Sequence, residues 1–178
     1  MARFREAGWD VTGQEVDPTA AALAREKFGL KVHLEALEKL TGSYDMIVMN
    51  HVIEHVPDPA VVLRECHRLM RSGGGLVLTT PNIASYGHRR FGADWRGLDP
   101  PRHLHLFSKT TLRTLAERAG FLSPTITTTS ARVVGTALAS QRTGPFCTMR
   151  AVCFQVWAAS RQPFAPDDGD ECVLQASK

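Results

Sequence analysis

The string His51-Val52-Ile53-Glu54-His55 puts two histidines and a carboxylate within five residues. Its order is that of an inverted zinc-protease motif. Such a motif needs a long helix to carry its ligands and a further ligand downstream. Pro57 and Pro59 follow at once and deny that helix, so a zinc protease is set aside. A second candidate is Arg102-His103-Leu104-His105-Leu106-Phe107. Alternation puts His103 and His105 on one side of an extended segment, and a side chain that titrates near neutrality can take a proton from a substrate. Each candidate also has a structural reading: a hydrogen-bonded histidine, or Glu54 or His55 ordering its own loop. Between them lie Arg89, Arg90, Arg96 and Arg102, interleaved with Phe91 and Trp95. That mixture suits a nucleic acid or an anionic small molecule, and Trp95 and Arg96 either close over a substrate or pack.

The whole chain bears on that choice. Its 178 residues carry 21 basic and 18 acidic side chains, a net charge of +3, which is too small to argue for nucleic acid. Cys66, Cys147, Cys153 and Cys172 form no C-x-x-C pair and read as reduced thiols of a cytoplasmic protein. The opening MARFREAGWDV has no apolar core of the signal-peptide kind, and no apolar run is long enough to span a membrane. The stretch 150–161, apolar between Arg150 and Arg161, reads as a membrane-surface helix, a lid or core.

The elements that must hold the histidines follow from pattern. A strand is expected over 9–17. Asp17 and Pro18 then cap and start an Ala-rich helix that stops at Gly29. A short strand over 30–34 and a compact apolar strand over 42–50 follow, the second of the buried parallel kind. The H-x-x-E-H string therefore sits directly after a strand, where α/β enzymes place site residues. A helix over 60–72 should bury Val62, Cys66, Leu69 and Met70 and end at Gly73-Gly74-Gly75. A strand over 76–80, a long loop over 83–107, a helix capped by Ser108 and a Thr-rich strand over 123–133 come next. A last strand after Gly169 should run antiparallel at a sheet edge. Alternating strands and helices give an α/β fold with a parallel sheet.

Five segments in order, GWDVTGQEVDP, SYDMIVMNHVIEHVPDP, LRECHRLMRSGGGLVLTTPN, RHLHLFSKTTLRTLAERAGF and GDECVLQASK, resemble the class I S-adenosylmethionine-dependent methyltransferases, in particular the ubiquinone-biosynthesis-like small-molecule group. The resemblance implies a Rossmann-like seven-stranded sheet, ordered 3-2-1-4-5-7-6, with helices on both faces. It implies S-adenosyl-L-methionine as cofactor. Glu15 would take the ribose hydroxyls, Val16 would pack on the adenine, Ala36 and Leu37 would line its edge, and the Asn50 backbone would meet the methionine part. It also suggests a divalent-metal site at His51, Glu54 and His55, which stays open against the loop-ordering role; no metal ligand is assigned. An acid at Glu15 also suits a nicotinamide dinucleotide, although the later segments resemble methyltransferases. The family's first strand and its G-x-G-x-G loop have no counterpart in the sequence, so an N-terminally truncated chain is expected.

The reading is a single, partial methyltransferase domain over 1–178, with 83–107 as an active-site loop and 134–166 as an insertion or lid. It transfers a methyl group to a small-molecule or lipid-linked acceptor, with His55 or His103 as base, in the cytoplasm and without nucleic acid. Membrane-surface contact is unproven. The alternative is a degenerate, non-catalytic chain of the same fold.

Overall fold

The computed structural model describes residues 1–130 and 165–178. They form two compact units, Met1–Gly42 and Ser43–Lys178. The lid expected over 134–166, its apolar stretch 150–161, and Cys147 and Cys153 lie outside the described residues, apart from Ala165 and Pro166.

The first unit holds α1 (Ala2–Glu6), β1 (Thr12–Gln14), α2 (Pro18–Phe28), β2 (Lys31–His33) and a 3-10 turn at Leu37–Lys39. α2 starts and stops as its sequence dictates. The Asp17 carboxylate accepts from the Thr19 and Ala20 amides, Pro18 needs no partner for a missing N–H, and Gly29 closes the helix at φ 58. β1 and β2 pair in parallel, Thr12 opposite Lys31. The strand expected over 9–17 is three residues long, because β2 offers it only three partners.

The second unit holds β3 (Tyr44–Asn50), α3 (Pro59–Leu69), β4 (Met70–Pro81), α4 (Tyr86–Phe91), α5 (Lys109–Arg118), β5 (Leu122–Thr129) and β6 (Glu171–Ser177). Its strand order is β3-β4-β6-β5. β3 and β4 are parallel, and β6 runs antiparallel to both neighbours. This order matches the 4-5-7-6 half of the expected sheet, and β1-β2 matches the 2-3 pair; among the described residues no strand precedes β1 in the sequence. The last strand is a correction, since β6 lies inside the sheet and β5 bounds it.

Two further corrections concern turns. α3 ends at Leu69, and the three glycines lie inside β4. A Cβ on Gly74 would stand 2.9 Å from the Arg71 carbonyl oxygen and 3.0 Å from that of Tyr44, so glycine here serves a close backbone approach at the β3–β4 bulge rather than a helix stop. The stretch 83–107 is not a structureless loop. Ser85 caps α4 by accepting from the His88 amide, and two 3-10 turns follow at Gly92–Asp94 and Arg96–Leu98. α5 is capped as expected, with Ser108 and Thr111 in a reciprocal box.

The core comes from alternation along β4. Leu76, Leu78 and Thr80 share one buried face. Leu78 lies beside Leu174, which lies beside Ile126; one row further on, Thr80 lies beside Cys172, which lies beside Thr128. α3 contributes Leu63, Cys66 and Leu69, with Val62 only half-buried, and α5 contributes Leu112 and Ala116. Each fully buried leucine stabilises by roughly 2 kcal/mol. Cys66 and Cys172 are free and buried, and burial pushes both thiols up to about 12, which makes them inert. The change from leucine to threonine along β4 and from isoleucine to threonine along β5 marks where the core ends and a polar site begins.

Candidate active site

β3 delivers His51 to the end of the sheet. The His51 amide still donates to the Thr79 carbonyl, 2.9 Å away, so the ladder runs one residue past Asn50. The chain then turns sharply with His51 in the left-handed region, at φ 53, a conformation that costs a residue with a side chain of order 1 kcal/mol. The side chain accounts for that cost. Its Nδ1 lies 3.0 Å from Glu54 Oε1 and its Nε2 lies 3.1 Å from Glu171 Oε1. Ionised carboxylates only accept, so both ring nitrogens donate and the ring is an imidazolium. The hydrogen bond to Glu171, then that to Glu54, raises its pKa to about 9 against the opposing effect of burial. Glu54 is 1% exposed. Burial pushes its carboxyl up, but hydrogen bonds from His51, from its own backbone and from Thr80 outweigh that, and the pKa is lowered. Its Oε2 accepts from Thr80 Oγ1 at 3.0 Å.

His55 and His103 behave differently. His55 Nδ1 lies 2.9 Å from the Arg102 carbonyl oxygen, and His103 Nδ1 lies 2.7 Å from that of Gly97. A carbonyl cannot donate, so in each ring Nδ1 is the donor, and among the described residues neither Nε2 has a hydrogen-bond partner. The two rings are 4.7 Å apart, centre to centre. Together with His51, Trp95, Asp170 and Glu171 they line a cavity of about 330 Å³, large enough for a small ring system. Ligand-type atoms of Glu54, His55 and His103 also lie within 4.8 Å of one another, a grouping with the chemistry for a divalent cation. Both Glu54 oxygens are already hydrogen-bonded, to His51 and to Thr80. We therefore assign no metal there.

Sequence alternation does not bring His103 and His105 to one task, because His105 Nε2 turns instead to the Pro57 carbonyl, 3.3 Å away. Trp95 is not a lid. It is 2% exposed, and a Cβ on Gly97 would stand 2.3 Å from its ring, so packing holds it in the cavity wall. Two of the arginines are ion-paired, Arg89 with Asp168 and Arg102 with Asp99. In the first unit, Glu15 follows β1, and its Oε1 accepts from the Val16 and Asp17 amides at 2.8 and 3.0 Å. Among the described residues its Oε2 has no hydrogen-bond partner, and Val16 beside it is 75% exposed. An acceptor oxygen next to an exposed apolar side chain fits the ribose and adenine of a nucleoside. Ala36 is exposed and Leu37 opens the 3-10 turn; Asn50, in the second unit, ends β3 and is exposed. Thr80, Asp170 and Glu171 escape sequence reasoning. The one signal for the last two is the acidic pair ahead of the final strand.

The profile of a family described as "Methyltransferase domain" matches residues 1–122. Among curated proteins, the ubiquinone biosynthesis O-methyltransferase of Pseudomonas aeruginosa (strain UCBPP-PA14) is 34% identical over 113 residues, 57% of this chain and 49% of that protein. The chain thus spans about half the length of the curated relatives it matches. Among solved structures, a SAM-dependent methyltransferase from Thermotoga maritima superposes with a TM-score of 0.65 at 21% identity, covering 94% of this chain and 72% of the other. One from Archaeoglobus fulgidus gives 0.65 at 19% identity, over 98% and 78%. At such identities these likenesses show a shared fold.

Proposed function

We propose, because the chain belongs to the methyltransferase domain family, that it transfers a methyl group from S-adenosyl-L-methionine to a small-molecule or lipid-linked acceptor. Its fold is the Rossmann-like sheet of the class I S-adenosylmethionine-dependent methyltransferases. The observation that carries the reading is the cavity beyond β3, lined by two histidines whose Nδ1 atoms are each bonded to a backbone carbonyl. The name of the Pseudomonas relative supports an oxygen nucleophile on the acceptor.

S-adenosylmethionine supplies a methyl group on a sulfonium leaving group, so the protein's share is alignment and proton removal. As the resemblance implies, Glu15 would accept from the ribose hydroxyls, Val16 would pack against the adenine, Ala36 and Leu37 would border it, and the Asn50 backbone would meet the methionine part. His103 or His55 takes the proton of the acceptor hydroxyl at Nε2, and the carbonyl bond at each Nδ1 holds the ring in that tautomer. His51, which has no lone pair to offer, is not a base. A cytoplasmic setting belongs to the same proposal; no helix of the described residues is long and apolar enough to cross a membrane.

Calorimetric titration of S-adenosylhomocysteine into the 178-residue chain tests the cofactor half. Micromolar binding, weakened about tenfold by Glu15→Ala through the loss of charge-assisted hydrogen bonds, is the expected result. A folded chain with no binding would favour the second reading, a non-catalytic member of the family. The lack of any G-x-G-x-G string in the sequence is what favours that reading. For the proton-removal half, His103→Gln and His55→Gln are assayed with catechol as trial acceptor. At least one should lower kcat by about 100-fold with KM little changed; if neither does, the base is elsewhere.

A further inference from the structure

The cluster His51, Glu54, Glu171 and Thr80 does more than the base assignment requires. Two carboxylates from distant parts of the sequence, one beyond β3 and one opening β6, converge on the same small space. Glu54 is 1% exposed and the Glu171 side chain 12%. Two such acids repel, and each resists leaving water without a counter-charge. Proteins often meet that need with a bound cation. Here the space is filled by the His51 ring, with one N–H on each carboxylate, at 3.0 and 3.1 Å. The backbone turns left-handed at His51 to put it there. His51 and Glu171 both line the cavity, and Glu54 reaches Thr80 on the strand between them.

We propose that His51 is an internal cation, in the place where a metal ion would otherwise bridge the two carboxylates, and that it positions Glu54 and Glu171 in the cavity wall. It ties the loop after β3 to the start of β6 and keeps both acids directed at a protein cation instead of at the acceptor. The consequence is an acceptor site that needs no divalent metal. This inference rests on the cavity described above but not on methyl transfer, and its test uses neither cofactor nor acceptor.

Removing the ring should therefore create a metal site. His51→Gly suits the test because glycine takes φ 53 without strain, so any loss comes from the side chain. The purified chain and its variants are titrated with Mn²⁺, following free Mn²⁺ by electron paramagnetic resonance and the melting midpoint in parallel. The wild-type chain should take up no Mn²⁺ and melt at the same temperature with or without chelator. His51→Gly should melt roughly 5 °C lower, take up one Mn²⁺ per chain and recover at least half of the lost midpoint. Adding Glu171→Gln should abolish that uptake. His51→Lys, which keeps a cation, should melt closer to wild type than the neutral His51→Gln, and this pair decides the matter if the glycine variant fails to fold. Uptake of Mn²⁺ by the wild-type chain would overturn the proposal in favour of a cation at Glu54, His55 and His103. An unchanged midpoint or no uptake in folded His51→Gly, or equal melting of the Lys and Gln variants, would overturn it too.

Discussion

Glu54→Ala should lower the unfolding free energy by about 3 kcal/mol, the low end for breaking a buried ion pair. The carboxylate is 1% exposed and holds two groups, the His51 ring and the Thr80 hydroxyl, each at 3.0 Å. Truncation leaves both without that partner in a part-buried site. The His51 ring remains about a quarter exposed, which keeps the cost at the lower end. Urea unfolding at neutral pH measures it, with Glu54→Gln as a partner variant that keeps the shape and the Thr80 contact and should cost less. The pH profile gives a second reading. The pKa of His51 is about 9 in the folded chain against 6.5 for a free histidine. Its contribution is therefore fully present below 6.5 and is lost as the pH rises through 9. Wild type should lose roughly 2 kcal/mol over that window, after allowance for the part-exposed ring. Glu54→Ala should show a flatter profile, because one of the two hydrogen bonds that raise the pKa is gone. A wild-type profile flat between 6.5 and 9 would mean that the ring is not held as a cation.

Gly169→Ala should be about as damaging for a steric reason. A Cβ there would stand 2.5 Å from the Thr129 amide nitrogen and 2.7 Å from Thr128 Oγ1. Neither neighbour can move aside. Thr128 Oγ1 accepts from the Gly169 amide at 3.0 Å, the Gly169 carbonyl accepts from buried Asn82 at 2.8 Å, and Thr129 is paired with Glu171 in the sheet. Overpacking of this kind costs about 3 kcal/mol, or roughly 10 °C in midpoint. The displaced turn also carries Asp170 and Glu171 away from the cavity, so the His51–Glu171 bond should be lost with it. Gly73→Ala is the contrasting case. Its φ is 75, but nothing lies within 4 Å of the added Cβ, so it should cost only about 1 kcal/mol. Circular-dichroism melts of the two variants decide the point; equal effects would show that backbone strain and not the clash governs both.

Much of the architecture was legible because local signals agree with the fold. Asp17-Pro18 and Gly29 bound α2, and Ser108 caps α5, through short-range hydrogen bonds that the sequence prints directly. The apolar run of 42–50 read as a buried parallel strand; Tyr44–Asn50 is parallel to β4, but Met49 alone of its residues is buried. The failures fall where the partner is distant. Three glycines after a helix look like a stop signal, but Gly74 is hemmed in by the carbonyl oxygens of Arg71 and, across the β3–β4 bulge, of Tyr44. A final strand after a long excursion looks like an edge, but β6 is paired on both sides.

The sequence by itself determined the family, the order of the elements and the neighbourhood of the site. Each rests on residue types at fixed spacing: H-x-x-E-H directly after a strand, prolines that forbid a zinc-binding helix, and RHLHLF just before a capped helix. Only the tertiary structure divided the histidines into two kinds. Spacing makes His51 and His55 equivalent ends of one motif. Their chemistry depends on the acceptors across the fold: two carboxylates for His51, a backbone carbonyl for His55 and another for His103. A carboxylate on each nitrogen keeps a histidine charged, whereas a single carbonyl on Nδ1 leaves Nε2 without a hydrogen-bond partner among the described residues. That difference comes from Glu171, which is 120 residues away from His51 in the chain and is brought beside it by the pairing of β6 with β4.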